Sequence, residues 1–97
     1  MLARVARYEV DPERCDDAVD AFLAAGREIA DFPGLERGYL LVDAESGAVM
    51  TLTLWADQAS MDASATRAAS LRRKAIGAVE GDVQSVQDYD VVRDFGS

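Results

Sequence analysis

The chain has no histidine and a single cysteine in 97 residues. A structural zinc site needs several Cys or His ligands, so none is expected, and a lone Cys15 excludes an internal disulfide framework. Positive charge is also scarce: 10 Lys and Arg stand against 18 Asp and Glu, a formal net charge of -8, and the basic residues are scattered. Nucleic acid is bound by clustered positive charge, so it is not an expected partner. Arg72, Arg73 and Lys74 form the one basic run, which on a helix reads as a solvated face. Arg4, Arg7 and Glu9 interrupt the first ten residues, so that stretch lacks the apolar run of a signal peptide. The expectation is a soluble, cytoplasmic protein of one domain over residues 1–97, with no membrane partner and no metal.

What is present is periodic. Leu2 to Val10 alternates in part and carries β-branched and aromatic residues, as a strand does. Asp11-Pro12-Glu13 then supplies a cap, a first-turn proline and a first-turn acid. Cys15, Val19, Phe22, Leu23, Gly26 and Ile29 recur at helical spacing until Phe32-Pro33-Gly34 ends the helix. Leu35 to Val42 is a second strand, Asp43 to Gly47 a hairpin connection, and Val49 to Trp55 a third strand. Asp57 caps a second helix with Met61, Ala65, Ala68, Leu71, Ala75, Ile76 and Val79 on its apolar face, with a break expected near Ser64. Gly81-Asp82 stops it, Val83 to Val92 is the last strand, and the tail after Val92 is polar.

The order βαββαβ predicts an α+β, ferredoxin-like fold in which two helices cover one face of a four-stranded antiparallel sheet. On the third strand Met50, Leu52 and Leu54 form one apolar row, and Val49, Thr51, Thr53 and Trp55 the opposite, mixed row. Both rows carry apolar surface, while the helices supply cover for one. A homodimer packed through the open sheet face is therefore expected. Parity alone leaves open whether Trp55 faces the helices or the partner, because a bulge near the strand end would reverse it.

Pro33-Gly34 with Gly38-Tyr39, and Trp55-Ala56-Asp57 with Met61 and Ala63, resemble the antibiotic-biosynthesis monooxygenase-like proteins over residues 2–92. The resemblance implies a dimeric α+β barrel and, among its relatives, cofactor-free oxygenases of aromatic polyketide-like substrates and haem-degrading enzymes. Where such relatives often hold a histidine, nine residues after the tryptophan, this chain has Ser64. With no histidine, the axial ligand of the haem-degrading members is missing. Where some oxygenases hold an asparagine, four residues before the tryptophan, this chain has Thr51.

Cofactor-free oxygenation needs an apolar pocket for an electron-rich ring, donors for its enolate or phenolate, and little water. The candidate catalytic residues are Trp55, Thr51 and Ser64, and the candidate substrate-binding residues are Tyr8, Tyr39, Tyr89 and Arg72. Each also has a plain packing or solvation role open to it: Trp55 in the core or dimer interface, the tyrosines at sheet edges, and Arg67 and Arg72 paired with acids. Asp88 and Asp90 share a face of the last strand, where edge solvation competes with an acid and base pair. Two functions follow. One is a small enzyme, cofactor-free and monooxygenase-like, acting on an aromatic molecule between sheet and helices. The other is a non-catalytic homodimeric domain that binds a small ligand or serves a structural role.

Overall fold

A computed structural model describes residues 1–96. Its elements are β1 (Leu2–Glu9), a short 3-10 turn (Pro12–Arg14), α1 (Cys15–Ile29), β2 (Leu35–Asp43), β3 (Ala48–Trp55), α2 (Gln58–Gly77) and β4 (Asp82–Asp90). The sheet order is β2-β3-β1-β4, with every neighbouring pair antiparallel. This is the ferredoxin-like arrangement that the element order predicts.

The register decides which face is which. Trp55 is fully buried and Val49 nearly so, and Arg4, Ala6 and Tyr8 of β1 stand opposite Thr53, Thr51 and Val49. The mixed row therefore faces the helices. Ala3, Val5 and Arg7 oppose Leu54, Leu52 and Met50 on the other face, which also carries Tyr39 and Leu41 from β2 and Tyr89 from β4, all exposed. Among the described residues, no element covers this second face.

The helix-side core joins Tyr8, Val10, Cys15, Ala18, Phe22, Val49, Ala75, Ile76 and Val79. Phe22 meets the Tyr8 ring at 4.7 Å between centroids, tilted by 48°, a favourable aromatic geometry. The two helices start as the sequence directs. The Asp11 carboxylate accepts from the Glu13 amide at 3.0 Å, and the Asp57 carboxylate from the Ser60 amide at 2.8 Å, which holds Asp57 below the usual carboxylate range. The expected break near Ser64 is absent, and α2 runs without interruption. Ser64, rather than Ala65, lies on the buried stripe with Met61, Ala68, Leu71 and Ala75. Its hydroxyl donates to the Met61 carbonyl at 2.7 Å, so a polar residue enters the core without an unpaired group.

Pro33-Gly34 and Trp55-Ala56-Asp57 turn out to be one piece of architecture. The Ala56 amide donates to the Gly34 carbonyl at 2.8 Å. Gly34 has φ 84°, and a Cβ there would collide with the Ser60 side chain. Only glycine satisfies both the left-handed backbone and the close approach. The end of α1 is thereby fixed against the start of α2, next to Trp55.

Candidate functional site

A cavity of about 490 Å³ lies between the helix-side face of the sheet and the two helices. The C-terminal half of α1 forms one wall through Phe22, Leu23, Gly26 and Ile29. The start of β2 forms the second through Leu35, Gly38 and Leu40, and Ala68, Leu71 and Arg72 of α2 close the third. The floor is the sheet itself, where Tyr8, Thr51 and Thr53 supply hydroxyls. Such a volume, mostly apolar with a few convergent polar groups, is the profile of a small-molecule site.

The hydroxyls on the floor form ordered pairs. The Tyr8 and Thr51 oxygens share a hydrogen bond of 3.2 Å. The Thr53 hydroxyl accepts from the Trp55 indole N–H at 2.9 Å, which leaves its own hydrogen for a partner in the cavity. Trp55 itself is fully buried and lies outside the lining. It acts behind Thr53, not as the pocket ring that a strand-end tryptophan suggests.

Ser64 is likewise one layer removed. Its oxygen accepts from Arg4 Nη1 at 3.2 Å while its hydrogen goes to the Met61 carbonyl, and the residue is fully buried outside the cavity lining. Arg4 was not a candidate from sequence, yet it is the most connected side chain of the site. Its Nη2 donates to the Met61 carbonyl at 3.1 Å, its Nε to Asp88 at 3.4 Å, and its guanidinium sits 5.8 Å from the centre of the Trp55 ring. The signal was parity: Arg4 shares a strand face with Ala6 and Tyr8, where a charge needs partners. Asp88 of the suspected acid pair is thus spoken for. Arg67 pairs with Glu28 at 3.4 Å on the exposed side.

Of the remaining candidates, Arg72 lines the cavity and Tyr89 does not. Tyr89 stands opposite Ala3 on the uncovered face and donates its hydroxyl hydrogen to Gln87 at 2.8 Å. Tyr39 borders the rim, but its register partner is Leu52 and its hydroxyl accepts from Arg37 at 3.1 Å. The structure therefore brings together Tyr8, Thr51 and Arg72, leaves Tyr39 at the edge, sets Trp55 and Ser64 behind the floor, and places Tyr89 on the opposite side of the sheet.

The family model for antibiotic biosynthesis monooxygenases matches residues 1–75. The chain belongs to this family. No curated protein matches it. Among solved structures, SnoaB, a cofactor-independent oxygenase from Streptomyces nogalater, is similar at TM-score 0.75 and 15% identity, covering 99% of this chain and 97% of that one. A putative antibiotic biosynthesis monooxygenase from Deinococcus radiodurans aligns at TM-score 0.74 and 12% identity, covering 100% and 98%. An MhuD variant with two manganese protoporphyrins bound per active site aligns at TM-score 0.75 and 19% identity, covering 100% of both chains. At these identities the likeness is one of fold.

As a member of the antibiotic biosynthesis monooxygenase family, this chain can be tested against porphyrin binding on its own residues. The cavity lining holds no His, Cys or Met side chain. Its one buried tyrosine oxygen is engaged with Thr51, and Ser64, in the position that the resemblance gives to histidine, is engaged with Arg4. The residues do not fit an axially ligated porphyrin metal.

Burial pushes the Tyr8 hydroxyl above the ordinary tyrosine value of 10.0, against the smaller opposing pull of Thr51 and of the nearby Arg72 guanidinium. Tyr8 is therefore a neutral hydrogen-bond donor at neutral pH, not a base. It also holds its proton more tightly folded than unfolded, so its contribution to stability is fully present below about pH 10 and is lost as the pH rises from there through the raised folded value. In an ultraviolet titration the Tyr8 tyrosinate is expected to develop above the ordinary tyrosine value, and Tyr8→Phe should remove that step. A step lost in Tyr8→Phe that lies at or below the ordinary value would contradict the assignment.

Proposed function

We propose that the protein is a cofactor-independent, monooxygenase-like enzyme that oxidises a small aromatic molecule held in the cavity between sheet and helices. The observation that carries this reading is the paired hydroxyls of Tyr8 and Thr51, set with Arg72 in an otherwise apolar cavity. A phenolic or anthrone-like substrate enters the apolar part ring first. Its oxygen lies against the Tyr8–Thr51 pair, where the one hydroxyl hydrogen not spent within the pair donates to it, most strongly once a proton leaves the ring carbon for solvent water and negative charge develops on that oxygen. The resulting enolate is electron-rich and reacts with dioxygen. The peroxide formed at the ring carbon loses water to leave a new carbonyl, so an anthrone and dioxygen give an anthraquinone and water. The family and the cofactor-independent SnoaB fold support this direction.

The test is oxygen uptake during aerobic incubation with a panel of anthrones and hydroquinones. Uptake well above the enzyme-free rate is expected, and Thr51→Val should lower it roughly hundredfold, the effect of losing one donor to a developing oxyanion. Uptake at the enzyme-free rate across the panel would favour the second reading, a ligand-binding domain without catalysis. One feature points that way: Thr51 and Ser64 stand where the resemblance places asparagine and histidine, and the Ser64 hydroxyl is engaged with Arg4 and Met61.

We also propose that two copies pack through the uncovered face of the sheet. Tyr39, Leu41 and Tyr89 are each more than 40% exposed there, beside half-buried Met50, Leu52 and Leu54, a continuous apolar surface that calls for cover. Sizing in solution should give twice the mass of one chain. A folded monomer that persists at high concentration would overturn the proposal.

A further inference from the structure

The cavity differs in charge from the protein around it. Acids outnumber bases 18 to 10 in the chain, yet all three charged residues lining the cavity are arginines: Arg4, Arg27 and Arg72. Among the described residues, no Asp or Glu lines it.

The three arginines are employed differently. Arg4 is satisfied by Asp88, Ser64 and the Met61 carbonyl, and so belongs to the scaffold. Arg27 is exposed at the rim on α1. Arg72 is half-buried, one residue beyond Leu71 on α2, and near enough to the Tyr8 hydroxyl to act on its ionisation. Among the described residues, no Asp or Glu carboxylate lies within ion-pair distance of either Arg27 or Arg72. Each exposed or half-exposed arginine elsewhere on the helix side that has an ion pair, Arg14 and Arg67, finds it on the outer surface.

A guanidinium held partly out of water beside apolar walls is under-solvated, and a bound anion restores what it lacks. We propose that the cavity selects an anionic guest: a flat apolar body carrying one carboxylate, with the charge seated between Arg72 and the Tyr8 hydroxyl and Arg27 adding attraction at the entrance. The inference rests on the aromatic-ligand reading above and narrows it to a charge class. The net charge of -8 opposes the approach of such a guest from a distance. At physiological ionic strength that repulsion is screened beyond about 8 Å, so the local arginines decide where the anion rests.

The experiment is calorimetric titration with β-naphthoate and with its uncharged isostere β-naphthamide. The naphthoate is expected to bind roughly ten- to a hundredfold more tightly, the range of one charge-assisted hydrogen bond. Arg72→Gln should bring the naphthoate close to the affinity of the amide, with the amide losing far less than the naphthoate. Arg72→Lys, which keeps the charge without the planar fork, should retain part of the preference. Arg27→Gln should cost a few-fold at most, because an exposed charge is screened. Equal binding of the two probes by the unaltered protein, or a preference that survives Arg72→Gln, would overturn the proposal while the aromatic-cavity reading stood. Failure of both probes to bind folded protein would overturn the two together.

Discussion

Trp55→Ala is expected to cost about 3–5 kcal/mol of stability, the usual toll of emptying a large aromatic site in a core. Native domains are stable by only about 5–15 kcal/mol, so this is a large share, and for a chain of this length the midpoint should fall on the order of 20 °C. The reason lies in what surrounds the ring. It is fully buried, stacked under the Arg4 guanidinium and tied through its N–H to Thr53. Removing it takes a contact from Arg4 and a donor from Thr53 together with the apolar volume. Thermal unfolding followed by circular dichroism gives the answer, since the variant loses its only tryptophan as a fluorophore. Trp55→Phe keeps most of the volume and loses only the donor, so it should lie well above the alanine variant. A Trp55→Ala protein with an unaltered midpoint would show that the ring is a pocket wall after all.

Gly26 offers an effect of opposite signs on stability and function. It sits inside α1, lines the cavity, and a Cβ built there meets nothing within 4 Å. A glycine in a helix interior costs about 0.5–1 kcal/mol relative to alanine, and here no steric need explains it. The space it leaves is the cavity. Gly26→Ala should therefore raise the stability by about that amount with little effect on ligands. Gly26→Leu should retain most of the helix gain while its branched side chain occupies the room intended for a guest. One methylene in an apolar pocket is worth roughly tenfold, so at least that loss in affinity for β-naphthoate is expected. Binding and melting measurements on the same three proteins test both halves. If the leucine variant binds as tightly as the unaltered chain, the guest lies elsewhere.

The fold was legible because its signals are local and agree with one another. Asp11-Pro12 and Asp57 cap where they should, Gly34 turns where only glycine fits, and alternation marks β3 clearly. The site was legible only in part, for three physical reasons. A strand-end tryptophan reads the same whether it lines a pocket or lies beneath one, and the difference here is a single hydrogen bond to Thr53. Arg4 registered as a charge interrupting an apolar run, because its partners Ser64 and Asp88 are 60 and 84 positions away. Tyr89 and Tyr8 look alike in composition, but the pairing of β4 with β1 sends them to opposite faces of one sheet. On α2, Ser64 took the buried place expected for Ala65 because its hydroxyl could be satisfied by the backbone of the preceding turn.

The Arg4 cluster has a mechanical consequence. One side chain on a central strand grips the backbone of α2 and the carboxylate of an edge strand at once, so α2 is cross-tied to the sheet. The opposite helix is held differently: its polar ties to α2 are exposed, the Glu28–Arg67 pair and the Arg14 guanidinium on the Ala78 carbonyl, and it meets the sheet through Phe22 and small alanines. Holding α2 on the sheet thus falls to a buried polar cluster, and holding α1 there to apolar packing.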